Sequence, residues 1–213
     1  MNAATKKLTL AGPAGALEVL RDEPARPDGN PTRGVALIAH PHPLFGGTME
    51  NKVVQTVARA FVQCGWSAVR FNFRGVGTSA GVHDEGRGET DDMLAVAAQC
   101  APTGPLALAG FSFGSFVASR AVEALNGTRR IERIVLVGTA ASRFAVSTLP
   151  TDLLDRTLVI HGEQDETVPL IDVLDWARPQ NLPVTVIPGA GHFFHGQLPL
   201  LRSLVTRHLT STP

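Results

Sequence analysis

The stretch Leu106-Ala107-Leu108-Ala109-Gly110-Phe111-Ser112-Phe113-Gly114 joins an apolar run to a helical pattern that continues to Leu125. The run is short and uninterrupted, as in a strand buried on both faces. At the junction stands G-x-S-x-G, from Gly110 to Gly114. A serine on a sharp strand-to-helix turn sits in strained backbone geometry, so its close neighbours must lack side chains. Gly110 and Gly114 meet that need. The helix N-terminus beside Ser112 also favours developing negative charge. The plainer reading is a glycine-rich turn whose serine merely caps the helix.

Two later segments favour the chemical reading. Gly162-Glu163-Gln164-Asp165 follows the apolar run Leu158-Val159-Ile160-His161, and Pro188-Gly189-Ala190-Gly191-His192 follows Val184-Thr185-Val186-Ile187. A serine hydroxyl is a poor nucleophile until a base takes its proton, and the base needs a carboxylate to orient it. Asp165, in a loop after a buried strand, can point across the strand ends toward an imidazole. Its alternative role is a loop or capping aspartate before a helix expected from Val168, with Glu163 and Asp172 as ordinary neighbours. Glycines before His192 let that ring approach the serine. His195 competes with it and is expected to face solvent or the pocket rim. His40, His42, His83, His161 and His208 read as structural when taken singly. Ser112, Asp165 and His192 are thus the candidate nucleophile, acid and base. Their chain order, Ser…Asp…His, differs from the chymotrypsin and subtilisin orders.

Acyl transfer also needs donors aimed at the developing oxyanion. One is the backbone N–H of the residue after the nucleophile, Phe113. The second is expected from the loop His40-Pro41-His42-Pro43-Leu44-Phe45-Gly46-Gly47. Proline has no N–H, which removes Pro41 and Pro43. His42 is then the first candidate and Leu44 the second. Leu44, Phe45, Phe111, Phe113, Phe144, Phe193 and Phe194 all lie near expected strand ends. Each could line an acyl pocket or belong to the core. No basic cluster near these segments predicts an anionic acyl carrier.

Outward from this centre, strand and helix alternate. Lys7 to Leu10 and Ala16 to Leu20 read as an antiparallel pair turned at Gly12-Pro13-Ala14-Gly15. A polar bridge from Asp22 to Arg33 leads to the run Gly34 to His40, which reads as a strand buried on both faces. Helices are expected over Asn51–Cys64, Glu89–Ala98, Ser112–Leu125, Val168–Ala177 and Leu198–Leu209. Further strands are expected over Ala68–Phe73, Leu106–Gly110, Ile131–Val137, Thr157–His161 and Val184–Ile187. Repeated β-α-β units predict an α/β fold with a parallel sheet covered by helices on both faces. Only about 19 residues separate the strands ending at Val137 and starting at Thr157. That is enough for a turn of helix and too short for a cap, so a site at the strand ends should be open.

The 213 residues suit one domain spanning 1–213. Hydrophobic residues at 44% and charged residues at 18% are a folded-domain profile rather than a disordered one. Lys+Arg and Asp+Glu are equal at 19 each, which argues against nucleic acid or acidic lipid as a partner. The first residues lack a secretory apolar core, and no run approaches the roughly 20 apolar residues of a membrane helix. Two cysteines, Cys64 and Cys100, read as buried thiols of a reducing cytoplasm.

Two further motifs resemble cofactor sites. Gly75-Val76-Gly77-Thr78-Ser79-Ala80 has dinucleotide-fingerprint spacing, yet continues into Gly81-Val82-His83-Asp84-Glu85-Gly86, which is loop chemistry. Arg74 beside it is expected to anchor the loop through an ion pair. His40-x-His42, with Asp84 and His192, lacks the spacing of a zinc site. No metal is expected.

Taken together, these pieces resemble the α/β-hydrolase superfamily, in particular its small capless bacterial members related to dienelactone hydrolase-like esterases. The similarity is carried by residues 40–52 (HPHPLFGGTMENK), 71–79 (FNFRGVGTS), Gly110 to Gly114, Gly162 to Asp165, and Gly191-His192. It implies an eight-stranded, mostly parallel sheet and a Ser112-His192-Asp165 triad. It also implies hydrolysis of small esters or thioesters without a cofactor. Dienelactone hydrolase uses a cysteine nucleophile where this chain has Ser112, so dienelactone is not the expected substrate. Peptidase, thioesterase and lactonase chemistry could run on the same triad, and the fold could instead be retained as an inactive binding protein.

Overall fold

In a computed structural model, which describes residues 4–25 and 32–211, eight strands form one sheet. They are β1 (Ala4–Gly12), β2 (Gly15–Glu23), β3 (Val35–Ala39), β4 (Ser67–Phe71), β5 (Leu106–Phe111), β6 (Ile131–Val137), β7 (Thr157–Gly162) and β8 (Val184–Ile187). Their order is β1-β2-β4-β3-β5-β6-β7-β8. β2 runs antiparallel to both β1 and β4, and the remaining pairs are parallel. The expected mostly parallel sheet with an antiparallel N-terminal pair is therefore present. Residues 1–3, residues 26–31 of the expected polar bridge, and residues 212–213 lie outside the described residues.

Alternation along the strands divides the core into two layers. On β3, Leu37 and Ala39 face one layer while Ala36 and Ile38 face the other. The second layer is closed by α1 (Lys52–Gln63) through Val53, Val57 and Phe61, and by α5 (Leu198–Thr210) through Leu201, Val205 and Leu209. The first is closed by α2 (Arg87–Cys100), α3 (Phe113–Leu125) and α4 (Leu170–Ala177), with Met93, Phe116, Val117 and Val173 buried. Asn51 starts α1 by accepting the Val53 N–H at 2.9 Å, a side-chain cap of the ordinary kind.

Several elements differ from expectation at their ends. β2 continues through Asp22 because that carboxylate has a buried partner: Arg70 of β4 meets its Oδ2 through Nε at 3.1 Å and an Nη at 3.0 Å. α2 begins at Arg87 rather than Glu89, since Glu89 reaches back to accept the Gly86 N–H at 2.7 Å. α4 starts at Leu170, after Pro169. Between β6 and β7 the only helical piece is a short 3-10 segment, Thr151–Arg156, so nothing from this connection roofs the sheet. Among the described residues no helix is long and apolar enough to cross a membrane.

The parallel register brings the carboxyl ends of the strands to one rim. Ala39 pairs with Gly110, Phe111 with Val137, Val137 with Ile160, and Gly162 with Ile187. The loops carrying Ser112, Asp165 and His192 all leave from that edge.

Candidate active site

Ser112 occupies φ 57° and ψ −118° between β5 and α3. A non-glycine residue held there stores roughly 1–3 kcal/mol of backbone strain. The flanking glycines are required by contact: a methyl at Gly110 would run into the Gly114 carbonyl, and one at Gly114 into the carbonyl of Ala39. The turn is locked from below. The Ser112 N–H donates to Val137 O at 2.8 Å. Ser115 Oγ lies 2.7 Å from Gly110 O and accepts the Val137 N–H at 3.2 Å. Ser115 was not singled out by the sequence, because a serine one turn into a helix carries no signal of its own.

The three residues expected to work together are brought together. His192 Nε2 lies 3.0 Å from Ser112 Oγ, and His192 Nδ1 lies 2.6 Å from Asp165 Oδ2. All three are buried. Asp165 Oδ1 accepts the N–H groups of Thr167 at 2.9 Å and Val168 at 2.8 Å. Burial pushes this carboxyl up, yet the hydrogen bonds from His192 and Val168 lead the effects that outweigh it and hold the group below its ordinary value. Asp165 is thus an anion, and His192 carries its Nδ1 proton toward it. That tautomer leaves Nε2 free to accept the Ser112 hydroxyl proton.

The Asp165 and His192 loops are fastened to each other. Glu163 N–H donates to Ile187 O at 3.0 Å and Gln164 N–H to Ala190 O at 2.9 Å. Glu163 also takes the Gly189 N–H at 2.8 Å. It serves here as a tie between loops, whereas the sequence shows it only as a neighbour of Asp165. At the end of β6, Gly138 adopts φ 55°, and a methyl there would stand 3.3 Å from His192 Cε1. The competitor His195 is exposed and stacks on Phe193 at 6.0 Å.

The loop after β3 lies against the start of α3, with the His42 and Phe113 rings 4.9 Å apart. Its N–H groups are mostly spent. Phe45 and Gly47 donate to His42 O at 3.1 Å each, and Gly46 to Pro43 O at 3.3 Å. Leu44 donates to His42 Nδ1 at 3.2 Å. Within this loop His42 keeps an N–H with no acceptor among the described residues, as does Phe113 at the head of α3. His40 has both ring nitrogens engaged: Nδ1 is 2.6 Å from Pro41 O, and Nε2 accepts the Phe73 N–H at 3.1 Å. Burial pulls its pKa down to about 4, so it is a neutral structural ring. Among the described residues no three metal-ligating side chains converge.

The aromatic candidates divide. Phe111, Phe113 and Phe194 are fully buried, and Phe144 is half-buried against Phe113 and Phe116. Leu44, Phe45, Val82 and Phe193 are exposed. The glycines after β4 lead into loop and turn, with no helix before Arg87, so the dinucleotide spacing is a coincidence. Arg74 anchors this loop as expected, its Nε and an Nη meeting Asp92 at 3.0 and 2.8 Å.

Comparisons agree with this architecture. A family model described as Hydrolase_4, serine aminopeptidase S33, matches residues 31–150. The structure of XC6422 from Xanthomonas campestris, described as an α/β serine hydrolase without a lid, is 39% identical with a TM-score of 0.85. That match covers 100% of this chain and 98% of the other. An α/β serine hydrolase homologue from Coxiella burnetii is 36% identical with a TM-score of 0.82, covering 96% and 97%. Uncharacterized protein RP471 of Rickettsia prowazekii (strain Madrid E) is 32% identical over 176 residues, which is 78% of this chain and 74% of that protein.

Proposed function

Because the chain belongs to the Hydrolase_4 family of α/β serine hydrolases, we propose that it cleaves small esters or thioesters through an acyl-enzyme on Ser112. The observation that carries this reading is the continuous hydrogen-bonded line from Ser112 Oγ through His192 to Asp165, at 3.0 and 2.6 Å. A retained binding fold has no use for a strained serine, an imidazole in the right tautomer and a buried anion together.

In the proposed cycle His192 Nε2 takes the Ser112 proton as Oγ attacks the carbonyl carbon. The carbonyl oxygen gains the negative charge and meets the N–H groups of Phe113 and His42. The intermediate collapses, and the leaving alcohol or thiol takes the proton from His192. Water then loses a proton to His192 and attacks the acyl carbon, and Ser112 recovers its proton as the acid departs. Asp165 stays ionised throughout and stabilises the imidazolium.

Ester cleavage is favoured over aminopeptidase action by the carboxylates at hand. An aminopeptidase must hold the substrate ammonium, a group with three donors and no acceptor. Of the carboxylates on the Phe113 side, Glu89 is fully buried and accepts from His83, Asp84 and Gly86. Asp84 pairs with Arg87 and the Gly88 N–H. A cytoplasmic setting is supported by Cys64 and Cys100, both of which are free thiols.

The test is chemical. A fluorophosphonate probe is expected to label wild-type protein and not Ser112→Ala. p-Nitrophenyl esters of short acids are expected to be hydrolysed by the first and not the second. A wild-type protein that neither labels nor turns over any ester or thioester of graded chain length overturns the reading.

A further inference from the structure

On the Phe113 flank of Ser112 lies a second histidine–carboxylate pair. His83 Nδ1 is 2.8 Å from Glu89 Oε1. Glu89 is fully buried, and its two oxygens also accept the N–H groups of Asp84 at 3.0 Å and Gly86 at 2.7 Å. With those donors around it, Glu89 acts as an acceptor toward His83 too. The tautomer that Glu89 selects for the His83 ring therefore carries its proton on Nδ1 and presents a lone pair at Nε2. His42 is set the opposite way. Its Nδ1 accepts the Leu44 N–H at 3.2 Å, so its proton sits on Nε2. The two rings are 4.8 Å apart and lie 5.6 and 4.9 Å from the Phe113 ring. Both rings are partly exposed, and among the described residues their hydrogen bonds are made through Nδ1, not Nε2.

We infer that His42 and His83 form a subsite for a hydroxyl group carried on the acyl portion of the substrate. The inference rests on the hydrolase reading above and adds the substrate class to it. A hydroxyl both donates and accepts, and the pair offers one of each: His83 Nε2 takes the hydroxyl proton, and His42 Nε2–H gives to its oxygen. A carboxylate would satisfy only His42, and an ammonium only His83. The flank is the acyl side because the leaving oxygen must collect its proton from His192, whose ring packs on Phe111 at 4.9 Å. The acyl chain then extends the other way, toward Phe113. Phe45 and Phe144, 4.8 and 5.9 Å from the His42 ring, supply apolar walls for the carbons between carbonyl and hydroxyl.

The experiment compares p-nitrophenyl β-hydroxybutyrate with p-nitrophenyl butyrate. Their ratio of kcat/KM cancels any general change in the enzyme. The wild type is expected to favour the hydroxylated ester by about tenfold or more, as sites built around a substrate hydroxyl do. In His83→Phe the ratio falls to near one, and in His83→Gln, which keeps an acceptor, part of it returns. A wild-type ratio near one, or a ratio unmoved in His83→Phe, overturns the subsite. A second arm does not depend on turnover. In Ser112→Ala protein the imidazole NMR signals of His42 and His83 are expected to shift with methyl β-hydroxybutyrate and stay still with methyl butyrate. If no ester is turned over, the hydrolase reading fails while this arm still judges the subsite, and unmoved signals reject it.

Discussion

His161 Nε2 stands 3.5 Å from Asp165 Oδ2, the same oxygen that meets His192 at 2.6 Å. The His161 ring is fully buried, and burial pulls its pKa below the ordinary histidine value. It is therefore a neutral donor. Its Nε2–H gives to Val168 O at 2.9 Å, which ties the two ends of the loop that holds Asp165. His161→Leu removes both the tie and the dipole that faces the carboxylate. The expected result is a fall in kcat of about 10–100-fold with little change in KM, the scale set by a small misplacement of a reacting group. His161→Gln keeps an N–H and should recover part of the loss. Equal losses in the two variants would reduce His161 to packing.

Asp165→Asn separates charge from shape. The amide oxygen can still accept from Thr167 and Val168, so the loop should keep its form and circular dichroism should match the wild type. The amide nitrogen, however, would face His192 Nδ1, and a donor there forces the imidazole proton onto Nε2. The base is then blocked toward Ser112. Ester turnover is expected to fall by about 10⁴, as in an equivalent serine protease substitution. Near-normal turnover would remove Asp165 from the cycle.

The site was legible where one residue type had to follow one element. Ser112 follows a buried strand and precedes a helix, and Asp165 and His192 each follow an apolar run by a few residues. Periodicity marks such runs without any knowledge of neighbours. Contacts across loops leave no such mark. Glu163 binds Gly189, Ser115 clamps β6, and His161 reaches Val168, and each depends on a partner at some distance along the chain. Strand ends were misjudged for the same reason, since β2 continues through Asp22, which pairs with Ala68 and whose carboxylate is held by Arg70. The choice between His42 and Leu44 as a free donor needed the loop's own hydrogen bonds.

Gly138 shows how little room the His192 ring has. At φ 55° a side chain is strained by roughly 1–2 kcal/mol whatever surrounds it. A methyl would also stand 3.3 Å from His192 Cε1 and 3.2 Å from the Phe111 ring. Gly138→Ala should therefore displace the imidazole while leaving the sheet intact. The expected outcome is a Tm lowered by a few degrees and turnover lowered by up to about 10²-fold, the cost of a misplacement near 1 Å. Steady-state kinetics beside a thermal melt checks it. A variant that melts early yet turns over normally would show that the ring has slack.

Stability should fall on mild acidification because of His40. Its folded pKa is about 4 against 6.5 for an unperturbed histidine, with burial as the largest cause. The unfolded chain therefore binds the proton first as pH drops. The sign follows from proton uptake: between pH about 6.5 and 4 the unfolded state holds more protons, so unfolding becomes easier. Above 6.5 the contribution is fully present, and below 4 it is lost, a range of order 3 kcal/mol at most. His208, also near 4 and half-buried, adds in the same direction. Urea unfolding at steps from pH 7.5 to 4.5 should show a midpoint that declines through this window. The His208 ring meets Arg156 O at 3.1 Å, and His208→Gln should flatten part of the decline while the fold persists. A midpoint unchanged down to pH 4.5 would mean that neither histidine is held neutral by burial.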